Sequence, residues 1–209
     1  MGVGRGGRTG AGQAHCGRDG TVPMRTETAV RPASPAYHPP MPTALPSSAW
    51  ATATHDSPLG TLLLAATAHG LAGLWFEGQR HGPANFAQWR SEPAHPVLTQ
   101  ARRQLDAYFA RTQTVFELPL DLSAATAFQA RVWQALQAIP AGFTQSYSAL
   151  AARIGAPQAV RAVGAAVGRN PLSIVVPCHR VIGASGALTG YAGGLARKTT
   201  LLRLEGALA

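Results

Sequence analysis

Cysteine is nearly missing from this chain: of 209 residues, only Cys16 and Cys178 carry a thiol. They lie far apart, neither sits in a Cys-x-x-Cys pair, and no four Cys or His residues have zinc spacing. A disulfide framework and a structural metal are therefore not expected. Long apolar runs are missing as well. Nothing approaches the roughly 18 residues needed to cross a bilayer, and the N-terminus lacks the apolar stretch of a secretory signal. The expected setting is a reducing, soluble compartment with no membrane partner: the cytoplasm, or the nucleus in a eukaryote.

Acidic residues are scarce and unevenly placed. The net charge is +9. Residues 1–40 carry five Arg against Asp19 and Glu27, and residues 41–121 carry five Arg against six acids. Residues 122–209 carry eight Arg or Lys against Glu205 alone, a net +7. A domain this basic attracts phosphate backbones through counterion release, so nucleic acid is the leading partner class, weighed against a merely solvated basic surface.

What is present divides into three parts. Residues 1–46 are rich in Gly, Arg, Pro, Ala and Ser without apolar periodicity, and read as a disordered tail or a mis-assigned start, with Met24 and Met41 as alternative initiation points. An Arg-rich targeting peptide is a further option. Residues 47–121 contain β-forming runs at Ala49–His55, Thr61–Thr67 and Leu71–Phe76, which predict a small antiparallel meander. A Pro-rich loop follows, then a helix over about Val97–Phe109, with Leu98, Ala101, Leu105 and Tyr108 at helical spacing. Leu118–Ser123 reads as a linker.

Residues 122–209 read as mostly helical. Phe128, Val132, Ala135, Leu136 and Ile139 form one apolar stripe ended by Pro140 and Gly142. Ser146 caps a short helix to Ile154, Gly155-Ala156-Pro157 turns the chain, and a second helix runs from about Pro157 to Val167: a helix-turn-helix pattern. A reader of major-groove bases needs Arg, Asn or Gln aimed at base edges, yet from Ala159 onward this helix is built from small or apolar residues, with Arg161 its one long probe. It suits either approach to a minor groove about 6 Å wide or close packing on another helix.

The segment Pro177-Cys178-His179-Arg180 places a soft nucleophile beside a potential proton acceptor. A cysteine reacts as thiolate, so a neighbouring base separates a reactive thiol from a packing residue. Strand neighbours point to opposite faces, so cooperation between Cys178 and His179 requires a bend at Pro177. Glu205 is either a partner for that histidine or a solvated acid at a helix end.

From Asn170 the chain runs Asn-Pro-Leu-Ser-Ile-Val-Val-Pro-Cys-His-Arg-Val-Ile-Gly, then Gly190-Tyr191-Ala192-Gly193-Gly194-Leu195, and closes on Glu205-Gly206. With this context, the stretch from about Phe128 to Gly206 resembles the O6-alkylguanine-DNA alkyltransferases. The resemblance implies an α+β protein: a small ribonuclease-H-like N-terminal domain with an antiparallel sheet, then a mostly helical, winged-helix-like DNA-binding domain carrying the reactive cysteine. It implies that Cys178 accepts the alkyl group, that His179 and Glu205 activate it, that Tyr147 and Arg161 act on the DNA, and that Asn170 shapes the hinge between recognition helix and active-site loop. Ala162 and Gly164 would lie on the DNA face beside Arg161 and Tyr147. Val181, Tyr191, Ala192 and Gly193 would line the substrate pocket, Ala192 standing where many relatives have serine. Arg180 is expected to form a structural ion pair.

The implied activity is single-use transfer of a methyl or larger alkyl group from O6 of guanine, with O4 of thymine a further candidate, on a base flipped through the minor groove. No cofactor or metal is expected, since the zinc ligands and metal-binding regulatory domain of some relatives are missing. The partner would be double-stranded DNA containing O6-alkylguanine, met by a monomer. Competing readings are a non-catalytic lesion sensor, which Cys178 disfavours; a transcription regulator, which the small-residue helix disfavours; and a cysteine hydrolase, which would not need the basic domain.

Overall fold

The computed structural model describes Met1 and residues 50–208. The expectations for residues 1–46, including Cys16, Met24 and Met41, and for residues 47–49 lie outside the described residues.

Short apolar runs separated by tight Gly turns build an antiparallel meander: β1 (Ala51–Ser57), β2 (Gly60–Thr67) and β3 (Gly70–Phe76). A fourth strand, β4 (Arg90–Ser91), joins β1 in parallel and gives the sheet order β3-β2-β1-β4. Two residues carry no periodicity, which is why this strand was not anticipated. Helix α1 (Pro96–Phe109) starts on a proline at its first turn and lays Leu98, Ala101, Leu105 and Tyr108 into the core.

The expected linker is a structural part of the sheet. Leu71 N–H donates to Pro119 O (2.8 Å) and Asp121 N–H to Leu71 O (2.9 Å), so the segment runs along the edge of β3. Gly70 makes this approach possible, because a Cβ there would lie 2.3 Å from Pro119 O. Further along the same edge, Leu74 N–H donates to Pro171 O and Ser173 N–H to Leu74 O, both at 2.8 Å. A sheet edge otherwise open to solvent is therefore satisfied by the segment that joins the two halves and by a second segment from the basic half. The buried apolar residues of both halves form one cluster from Ala51 to Leu201.

In the basic half, Thr126 and Gln129 cap α2 (Ala127–Gln137) reciprocally, and α2 packs on α3 (Tyr147–Arg153) and α4 (Val160–Gly168). Ser146 accepts from Ala149 N–H at the start of α3, as expected. The helix-turn-helix is present, but α4 begins three residues later than anticipated. A turn closed by Ala159 N–H to Ala156 O occupies 156–159 first. Trp133 Nε1 donates to Ala166 O (2.9 Å) and fixes α2 to α4. A two-stranded parallel ribbon pairs β5 (Gln145–Ser146) with β6 (Val181–Ile182), and α5 (Leu195–Leu204) ends at Glu205. Among the described residues no helix is long and apolar enough to cross a membrane.

Candidate active site

Asn170 follows α4 and is 3% exposed. Its Nδ2 faces three acceptors, Val176 O (2.7 Å), Cys178 Sγ (3.1 Å) and Leu172 O (3.3 Å), while its Oδ1 accepts from Leu172 N–H (3.0 Å). Two N–H bonds are shared among the three acceptors, so one carboxamide closes the loop onto the thiol. Within that loop buried Ile174 sits at φ +70, a left-handed conformation that a β-branched residue adopts only under constraint. The Ser173–Leu74 bond to the sheet and Val176 N–H to Leu172 O (2.8 Å) supply the constraint.

The bend anticipated at Pro177 is a 3₁₀ turn over Cys178–Arg180. With three residues per turn, adjacent side chains diverge by about 120°, so Cys178, His179 and Arg180 leave the backbone in three directions. All three are buried.

His179 Nε2 donates to Glu205 Oε1 at 2.9 Å. Arg180 forks onto the same carboxylate, Nε to Oε2 and Nη2 to Oε1, both at 2.8 Å. Tyr108 of α1 donates its hydroxyl to Oε1, also at 2.8 Å. Glu205 thus accepts four hydrogen bonds on a side chain that is 1% exposed. Burial alone would raise its pKa, but the bonds from His179 and Arg180 hold it at about 2.

Burial pushes the His179 pKa below the ordinary histidine value despite Glu205, so the imidazole is neutral at pH 7. The hydrogen-bond network assigns its proton to Nε2, leaving the lone pair on Nδ1, which is buried without a hydrogen-bond partner among the described residues. Burial raises the Cys178 thiol to about 11, against the lowering effects of Asn170 and Lys198. The arrangement is a protonated thiol and, one residue on, an unoccupied base whose tautomer is set by a carboxylate.

A cavity of about 140 Å³ opens over the thiol. Cys178, Tyr147, Gly164, Tyr191 and Ala192 line it, so five of the residues singled out in the sequence meet in one place. Tyr147 points its hydroxyl at Gly190 O (3.4 Å), and burial raises its pKa, so it is a neutral donor. Arg161 and Ala162 lie exposed on α4, outside the cavity. Val181 and Gly193 do not line it either. Val181 is fully buried, and Gly193 is packed so tightly that a Cβ would stand 2.7 Å from the Tyr191 ring and 3.0 Å from Phe76.

Three contributions were not visible in the sequence. Tyr108 sits on the periodic apolar face of α1 and reads as core. Lys198 adjoins Arg197 on α5 and reads as a solvated charge, yet it is fully buried, donating to Val181 O and Thr189 O. Burial lowers its pKa to about 8. Arg80 and His81, in the loop after β3, also line the cavity, and no local pattern marks them.

Comparison with known proteins agrees across both halves. Residues 51–122 match the family described as 6-O-methylguanine DNA methyltransferase, ribonuclease-like domain, and residues 127–207 match its DNA binding domain. A methylated-DNA–protein-cysteine methyltransferase of Mycobacterium leprae is 53% identical over 150 residues, covering 72% of this chain and 88% of that protein. One from Methanosarcina acetivorans is 46% identical over 155 residues, covering 74% and 97%. Among solved structures, Mycobacterium tuberculosis OGT in complex with DNA aligns with a TM-score of 0.67 at 49% identity, covering 76% of this chain and 92% of that one.

Proposed function

The chain belongs to the methylated-DNA–protein-cysteine methyltransferase family, and from that premise we propose that Cys178 is its alkyl acceptor, repairing O6-alkylguanine in double-stranded DNA by direct transfer. The observation that carries this reading is the buried Cys178 thiol at a cavity beside α4, one residue from a histidine whose Nδ1 has no hydrogen-bond partner among the described residues.

The step balances as follows. Nδ1 of His179 takes the thiol proton, directly or through a water, and Glu205 stabilises the imidazolium. The thiolate attacks the carbon on guanine O6, an S–C bond forms, the C–O6 bond breaks, and the electron pair stays on the base. Tyr147 donates toward the base as that charge develops, and the proton held by His179 returns to the guanine. Asn170 holds the thiol in line. Tyr191 and Ala192 bound the base, and Arg161 fills the gap that the flipped nucleotide leaves in the duplex. Ala162 and Gly164 let α4 approach the minor groove closely.

Neither metal nor organic cofactor enters this sequence of events. Residues 47–121 form the ribonuclease-H-like domain in this reading, residues 122–209 the transferase domain, and the protein works as a cytoplasmic monomer. The thioether is not reversed, so each molecule reacts once. The test is a titration of duplex O6-methylguanine: repair should stop at one lesion per protein molecule, and sustained turnover would contradict the acceptor role.

A further inference from the structure

The loop after β3 belongs to the N-terminal half yet reaches the cavity over Cys178. It is tied to the basic half at two points. Gln79, 8% exposed, accepts at Oε1 from Ser173 Oγ (2.8 Å) and from Phe76 N–H (3.2 Å). Arg80 N–H donates to Ala192 O (3.0 Å). Ser173 lies in the loop that leads to Cys178, and Ala192 lies on the cavity wall, so the two ties straddle the site.

Between these ties and Gly82, whose N–H closes a turn on Gln79 O (3.1 Å), His81 adopts φ +63. That backbone conformation is costly for a residue with a Cβ and survives where the surroundings over-determine it, commonly at a functional site. Its result is to bring Arg80 and His81 onto the cavity with Tyr147, Cys178 and Tyr191. Of the described residues lining it, these two alone belong to the N-terminal half, and both are exposed, whereas Cys178 is fixed by Asn170.

A volume of about 140 Å³ is close to the ~150 Å³ of an engineered apolar cavity that holds one benzene. Guanine is a larger ring system, so a base carrying a bulky substituent needs room that fixed walls do not supply. The exposed wall is where that room is found. Building on the transferase function proposed above, we infer that Arg80 and His81 complete the substrate pocket from the N-terminal half and set the size of O6 substituent that Cys178 accepts. Partial burial, with Arg169 and Arg80 nearby, lowers the His81 pKa from its ordinary value, so at pH 7 its imidazole is an uncharged, flat surface suited to an apolar substituent.

The test compares single-turnover rate constants on duplexes carrying O6-methylguanine or O6-benzylguanine. Both are measured on one preparation, so the benzyl-to-methyl ratio is insensitive to any misfolded fraction. His81→Gly suits the left-handed backbone, His81→Asn tolerates it with a smaller side chain, and Arg80→Ala trims the neighbouring wall. The ratio should rise about tenfold in His81→Gly and by less in the other two, in line with what a small change of pocket shape is worth. A ratio within about twofold of the unaltered protein in all three variants would overturn the inference. Failure of the unaltered protein to react with the methyl substrate would instead sink the transferase reading itself, and the pocket wall with it.

Discussion

Tyr108 of the N-terminal half and Glu205 at the end of α5 share a 2.8 Å hydrogen bond on the same oxygen that receives His179. The carboxylate that sets the histidine tautomer is therefore held from both halves of the chain. Tyr108→Phe keeps the ring and removes one charge-assisted bond, so it should cost about 1.5–3 kcal/mol of stability. It should also slow single-turnover transfer several-fold. Urea unfolding and rapid-quench kinetics check the two effects, and unchanged values in both would disconnect α1 from the site.

Glu205 predicts how stability depends on acid. Its folded pKa of about 2 lies below the ordinary 4.5, so between those values the unfolded chain binds the proton that the folded chain does not. The stabilising contribution is complete above pH 4.5 and is lost as pH falls toward 2. In Glu205→Gln this part of the acid dependence should disappear from thermal melts, leaving a flatter profile than that of the unaltered protein.

The histidine predicts how rate depends on pH. His179 must be neutral to accept the thiol proton, and its pKa lies below 6.5. Single-turnover transfer should fall in acid with its inflection below pH 6.5. An inflection at or above 6.5 would mean that the histidine is not the base.

Arg161 is exposed on α4, away from the thiol. Arg161→Ala should weaken binding to duplex DNA, while reaction with free O6-benzylguanine base stays near normal. Equal losses on both substrates would refute its role in base flipping.

Asn170 joins the cysteine loop to the thiol through one buried carboxamide. Asn170→Ala strands Leu172 N–H and leaves Val176 O with only its bond from Cys178 N–H, so it should cost about 1–3 kcal/mol by chemical denaturation and reduce the transfer rate. A loss below about 0.5 kcal/mol would show that the loop holds itself without the amide.

The sequence carried most of this fold where short-range physics decides it. Short runs of β-formers between turn residues marked β1 to β3, the spacing of Leu98, Ala101 and Leu105 marked α1, and Ser146 marked the start of α3. The proximity of Cys178 and His179 was plain because they adjoin, and Glu205 stood out as the last acid in a basic half. What stayed hidden depends on distant chain segments. Tyr108 meets Glu205 across 97 positions, and Gln79 meets Ser173 across 94, separations at which no periodicity operates. The bend at Pro177 was foreseen, but its 3₁₀ form was not. Buried Lys198 was missed because its acceptors are backbone carbonyls, which leave no trace in residue identity.

The central claim is that Cys178 takes the alkyl group. Intact-mass spectrometry after incubation with duplex O6-methylguanine tests it most directly. The account predicts a single adduct in which one methyl replaces one hydrogen, located at Cys178 by peptide mapping and missing in Cys178→Ala. An adduct that persists in Cys178→Ala, or none on the unaltered protein, would contradict it.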